Sequence, residues 1–184
     1  METKLKRLYE ECIKELQSIG ITILDEEKIG KITIQLSKRK NKRYGCCKQE
    51  EPDKKTRYIE NYKIKYAKFN KHTIEISSWV MELNDDIIKN TIMHEIIHCM
   101  PLCNNHGDTF KKYAKYINQS LGYRISRLGN REEDCKNSNI DYHEKDKHNY
   151  KIECKTCGQT FYRQRIAKKF TRKYRCGNCN GNFI

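Results

Sequence analysis

His94-Glu95-Ile96-Ile97-His98 is followed, after seven intervening residues, by His106-Gly107-Asp108-Thr109-Phe110. The first five residues can act together only on a helix. Residues four apart there stand one above the other, so His94 and His98 aim two imidazole nitrogens at one point. Glu95 lies beside them, within reach of a water on a metal. This is the HExxH arrangement of the zincins, with two histidine ligands and a glutamate general base.

The flanking sequence supports a helix. Asn84, Asp85 and Asp86 read as a cap and an acidic first turn. Ile87, Ile88, Thr91, Ile92, Ile96 and Cys99 recur at helical spacing, and Pro101 is a stop signal. Gly107-Asp108 opens a further helix with Phe110, Tyr113, Ala114, Ile117 and Leu121 on its apolar side, ended by Gly122. His106 at that helix's entrance is the favoured third ligand, with Cys103, Glu132 and Glu133 as competitors. Cys99 and Cys103 otherwise read as small buried hydrophobes. The metzincin pattern is excluded, because the third histidine comes eight residues after the second and no methionine follows Met100. A buried helix whose histidines merely hydrogen-bond is set aside, since motif, cap, stop and third histidine agree.

Upstream, Leu5, Leu8, Cys12, Leu16 and Ile19 form a helical stripe closed by Gly20. Ile32, Ile34 and Leu36 alternate as a strand, Tyr58 to Phe69 reads as a second and Thr73 to Ser77 as a third. The basic run Lys38 to Arg43 lies between strands, as a solvated loop or a route for an anionic strand. Residues 1–134 are therefore expected to form one domain and 135–149 a polar linker.

Residues 150–184 carry the second signal. Cys154-Lys-Thr-Cys157 and Cys176-Gly-Asn-Cys179 are separated by 18 residues, the spacing of a closed four-cysteine structural zinc site. So short a unit needs such a staple. It holds nine Lys/Arg against one Asp/Glu. Arg163, Arg165, Lys168, Lys169, Arg172 and Lys173 interleave with aromatics that include Tyr162 and Phe170, the chemistry of single-strand nucleic-acid binding. About half of the aromatics are expected to form the unit's own core.

The whole chain has a formal charge of +14, which suggests a polyanionic partner, although 27 of its 38 basic residues are lysine and composition bias alone produces much of that. Met1 to Cys12 lacks an apolar signal core, and no segment is apolar enough to span a bilayer. With metal-type cysteine spacing, this gives a cytoplasmic, intracellular expectation with no membrane partner.

HEIIH, the loop to HGDTF, the preceding IEIS strand and the earlier KRYGCC together resemble the SprT-like metalloprotease family, which includes Spartan. The paired CxxC unit is similar to that of bacterial SprT proteins. The resemblance implies a catalytic zinc on His94, His98 and His106, with Glu95 catalytic, and proteolysis of DNA-bound or DNA-crosslinked proteins. The expected fold is α+β: a zincin-like core of helices with a small antiparallel sheet, then an all-β zinc ribbon. The expected cofactors are two Zn2+, one catalytic and one structural. Protein substrates and DNA with single-stranded character are the expected partners. The competing expectations are a DNA-binding zinc protein with a vestigial protease site, and a general intracellular metallopeptidase.

Overall fold

Helix α1 (Glu2–Ser18) buries Leu5, Leu8, Cys12, Ile13 and Leu16, a stripe at three- and four-residue steps. A single turn, α2 (Glu26–Ile29), is capped by Asp25, whose side chain accepts from the Lys28 amide. Gly30 then admits the chain to the sheet. It has φ +89, and a Cβ there would lie 2.5 Å from the Phe69 carbonyl oxygen. Only glycine satisfies both conditions.

The computed structural model describes residues 1–23, 25–38, 43–141 and 150–184. Positions 39–42 of the basic run and 142–149 of the expected linker lie outside them. Two compact units result, Met1–Asp141 and Tyr142–Ile184.

In the first unit, β1 (Lys31–Leu36) is followed by β2 (Gly45–Pro52), β3 (Arg57–Glu60), β4 (Lys63–Tyr66) and β5 (Phe69–Ile76). The main sheet has the order β1-β5-β2. β5 pairs in parallel with β1 and antiparallel with β2, so the sheet is mixed and the expected antiparallel sheet is corrected. The long excursion through β2, β3 and β4 returns the chain in its original direction, which a tight hairpin cannot do. Tyr58 to Phe69 is likewise not one strand. β3 and β4 pair around Asn61 and Tyr62, both at positive φ, as a two-residue hairpin loop requires. On β5, His72, Ile74 and Ile76 point into the core.

Helix α3 (Asp85–Ile97) starts where its sequence signals put it. The Asn84 side chain accepts from the Ile87 amide at 3.0 Å. Ile88, Ile92, Met93, Ile96 and Ile97 are buried around its circumference, and it packs on α1, β2, β5 and α4. A helix apolar on all sides is a central one. It ends at Ile97, with His98 as its C-cap, before Pro101 is reached. Helix α4 (Asp108–Leu121) buries Phe110, Ala114 and Ile117 and closes on Gly122 at φ 75.

Helix α5 (Arg131–Asn137) runs into the expected linker. Asn130 caps it, and Cys135 is buried. The compact unit therefore extends to Asp141 rather than stopping at residue 134. Seven residues with one apolar anchor are too few for helical periodicity to register.

The second unit pairs β6 (Tyr150–Glu153) with β7 (Thr160–Arg163) and adds a one-turn helix, α6 (Phe170–Lys173), so it is not purely β. Ile152, Cys154, Cys176 and Phe183 form its core, with Phe161, Ile166 and Phe170 packed against them. No helix among the described residues is long and apolar enough to cross a membrane.

Candidate active site

Two turns of α3 and the entrance to α4 bring three imidazoles together. The Nε2 atom of His106 lies 3.0 Å from that of His94 and 3.2 Å from that of His98. Three nitrogens bonded at about 2.05 Å to one tetrahedral zinc would stand roughly 3.3 Å apart. The donor set and spacing therefore fit a zinc ion with a fourth position open. Nδ1 of His98 lies 2.7 Å from the Cys103 carbonyl. A carbonyl only accepts, so the proton sits on Nδ1 and Nε2 keeps its lone pair for a metal. Main chain at Ser126 hydrogen-bonds His94 in a similar supporting role.

Burial, then the neighbouring imidazoles, pull His94 down to about 4, and burial also lowers His98 and His106. All three are held neutral, as ligation requires. The Phe110 ring packs against all three, with centroids 4.7–4.9 Å away. Of the competing third ligands, Cys103, Glu132 and Glu133 do not join the cluster.

Glu95 is 6% exposed, and burial pushes its carboxyl up to about 8. The backbone of Cys47 on β2 hydrogen-bonds it, and Gly45 on the same strand leaves it space: a Cβ there would lie 2.8 Å from Oε1. The three histidines and Glu95 open into a cleft also lined by Gly45, Cys46, Cys47, Gln49, Asn104, Tyr123 and Arg127. Tyr44 and Asp134 also line it, and the Tyr44 hydroxyl donates to Asp134 at 2.6 Å.

Residues 9–130 match the family model described as the SprT-like family, a stretch that contains all three histidines and Glu95. The chain belongs to the SprT-like family. Its first unit is thus a metallopeptidase-like domain. No curated protein matches the chain.

Sequence reasoning about this SprT-like chain missed the contribution of β2. GCCKQEEP has neither alternation nor β-branched residues, and only its pairing with β5 makes it a strand. The one available signal was Tyr44-Gly45, a glycine where backbone must pass close to another group.

In the second unit, Cys154 Sγ stands 3.5 Å from Cys179 Sγ, and Cys157 Sγ 3.7 Å from Cys176 Sγ. All four lie within 4.8 Å of one another. A tetrahedral zinc with bonds of about 2.3 Å separates its sulfurs by about 3.8 Å, so this donor set fits a closed site. Amides of Cys157 and Thr156 pull the Cys154 thiol down to about 6, toward the thiolate.

The candidate nucleic-acid residues divide. Arg163, Arg165 and Phe170 line one groove, together with Phe161, Tyr174 and Arg175. Lys168, Lys169, Arg172, Lys173 and Tyr162 are exposed but do not line it. Phe170 is partly buried and shares its ring between this groove and the unit's core. It packs against Phe183 at 5.5 Å and Tyr174 at 4.9 Å, because a core this small needs its ring. Tyr162 and Tyr174 remain exposed.

Proposed function

We propose that this SprT-like protein is a zinc-dependent endopeptidase acting on proteins bound or crosslinked to DNA. The convergence of His94, His98 and His106 beside a buried Glu95 carries this reading. A zinc ion on the three imidazoles would supply Lewis acidity, making a water acidic and a scissile carbonyl electrophilic. Glu95 accepts the proton of the attacking water and returns it to the leaving amine. A zinc dication beside it would favour the ionised carboxylate, the form that accepts that proton. β2, at an edge of the sheet, receives extended substrate by strand addition. Arg127, exposed in the cleft with its charge felt at His106, is placed to meet negative charge developing on the carbonyl oxygen.

The four-cysteine unit is a structural zinc ribbon in this proposal, and its arginine-lined groove contacts DNA. Charged guanidiniums meet phosphates while Tyr174, half-exposed at the groove, offers a ring face to bases. The protein acts inside the cell, where such substrates occur.

The test is cleavage of a DNA-binding protein with and without single-stranded DNA, by wild type and by Glu95→Gln. Glu95→Gln keeps shape and metal but not the base, so it should retain zinc and lose cleavage by at least ~100-fold. Wild-type cleavage indifferent to DNA would indicate a general peptidase, and an inactive wild type a vestigial site. Undiminished cleavage by Glu95→Gln would remove the proposed base.

A further inference from the structure

Behind the histidine centre, three donor atoms from three separate elements converge with no part in the proteolytic proposal. Cys47 on β2, His72 on β5 and Cys99 just past α3 bring two Sγ atoms and an imidazole nitrogen within 4.8 Å of one another. The two sulfurs are 3.6 Å apart, and Cys47 Sγ is 3.9 Å from Nδ1 of His72. His72 and Cys99 are 1% and 2% exposed, whereas Cys47 borders the cleft.

The His72 ring is already set for ligation. Its Nε2 lies 2.8 Å from the Ile29 carbonyl, and since a carbonyl only accepts, the proton is on Nε2. The lone pair of Nδ1 therefore faces the sulfurs.

We propose that Cys47, His72 and Cys99 form a second metal site in the first unit, taking a thiophilic dication of the zinc class through two thiolates and one imidazole. Bonds of about 2.3 Å to sulfur and 2.05 Å to nitrogen place tetrahedral ligands roughly 3.6–3.8 Å apart, close to the separations observed. Binding releases the two thiol protons, so dication and thiolates cancel in charge, as a buried site demands. The ion joins β2, β5 and the end of α3 at the residue whose backbone holds Glu95. Without a metal the same atoms make a hydrogen-bond relay, in which the Cys99 thiol donates to the Glu95 carbonyl at 3.6 Å and the Cys47 thiol donates to His72. The two arrangements differ in how much metal the chain holds.

The full chain is stripped under reducing conditions, then loaded with zinc for elemental analysis and, separately, with an NMR-active cadmium isotope. Three donor clusters should give three equivalents and three cadmium resonances. The four-thiolate signal should be the most deshielded, the three-imidazole signal the least, and the mixed site between them. Cys99→Ala, and independently Cys47→Ser, should remove the middle resonance and one zinc equivalent while leaving the other two. Two equivalents and two resonances in the wild type would establish the relay and overturn the site. Loss of the histidine-centre resonance in both variants, with the middle one retained, would overturn it too. A chain isolated two hydrogens light, with Cys47 linked to Cys99, would replace the metal site by a redox pair.

Discussion

A methyl group on Gly45 would press on the Glu95 carboxylate, with Oε1 at 2.8 Å and Cγ at 2.9 Å. Glu95 is too buried to swing away freely, so Gly45→Ala should displace the base while the fold tolerates the change. The expected result is a fall in kcat of about 10- to 100-fold, with zinc content and KM little altered, because a small misplacement weakens proton transfer before it weakens binding. Steady-state kinetics beside metal analysis decide this, and an unchanged kcat would mean that β2 does not position Glu95. His94, Glu95, His98 and His106 were legible in the sequence, because helical spacing converts directly into geometry. Gly45 and Cys47 were not, since what they touch depends on a strand register that no local pattern encodes. The same holds for His72, which joins Cys47 and Cys99 only through the pairing Cys47↔Ile74 on β5.

Elements show a similar division. Helices α3 and α4 announce themselves through apolar periodicity, the Asn84 cap and Gly122, whereas β2 is a strand only through its pairing with β5, and α5 has its Asn130 cap but too little apolar periodicity to register. The start of α3 is also tied to α1. Arg7 and Lys4 reach Asp85 at 2.8 and 2.9 Å, and Arg7 first, then Lys4, holds the Asp85 carboxyl below the ordinary carboxylate range. A carboxylate with a depressed folded-state pKa stabilises the fold above its unfolded value, ~3.9, and that contribution is lost as pH falls through the folded value. Asp85→Asn should therefore lower the urea midpoint slightly at neutral pH, and the gap to wild type should close as pH falls below the unfolded value of ~3.9. The effect is small because both partners are about half exposed. A gap that persists in acid would assign it to packing or capping instead. Asn84→Ala, which removes the bond to the Ile87 amide, should cost about 1 kcal/mol at any pH.

On the scale of the whole molecule, the two-unit division was readable from the paired CxxC spacing, but not the point where the first unit ends. The groove of the second unit carries a prediction of its own. Replacing Arg163, Arg165 and Arg175 together by alanine should weaken single-stranded DNA binding and flatten its logarithmic salt dependence by about 2, at roughly 0.7 for each phosphate no longer neutralised. Fluorescence anisotropy across a salt series reads both quantities, and an unchanged slope would free the groove from any role with DNA. The mixed sheet has a different kind of consequence. Thr33 meets Thr73 across 40 residues of chain, and Arg7 meets Asp85 across 78, whereas the β6–β7 hairpin joins near neighbours. Non-local pairing slows folding toward milliseconds or seconds, while an isolated hairpin closes in microseconds. The relative placement of His94 and His98 is set by local helical spacing. Glu95 receives its support only when β2 docks beside β5. The placement of Glu95 against Gly45 and Cys47 thus depends on non-local pairing, whereas that of His94 and His98 does not.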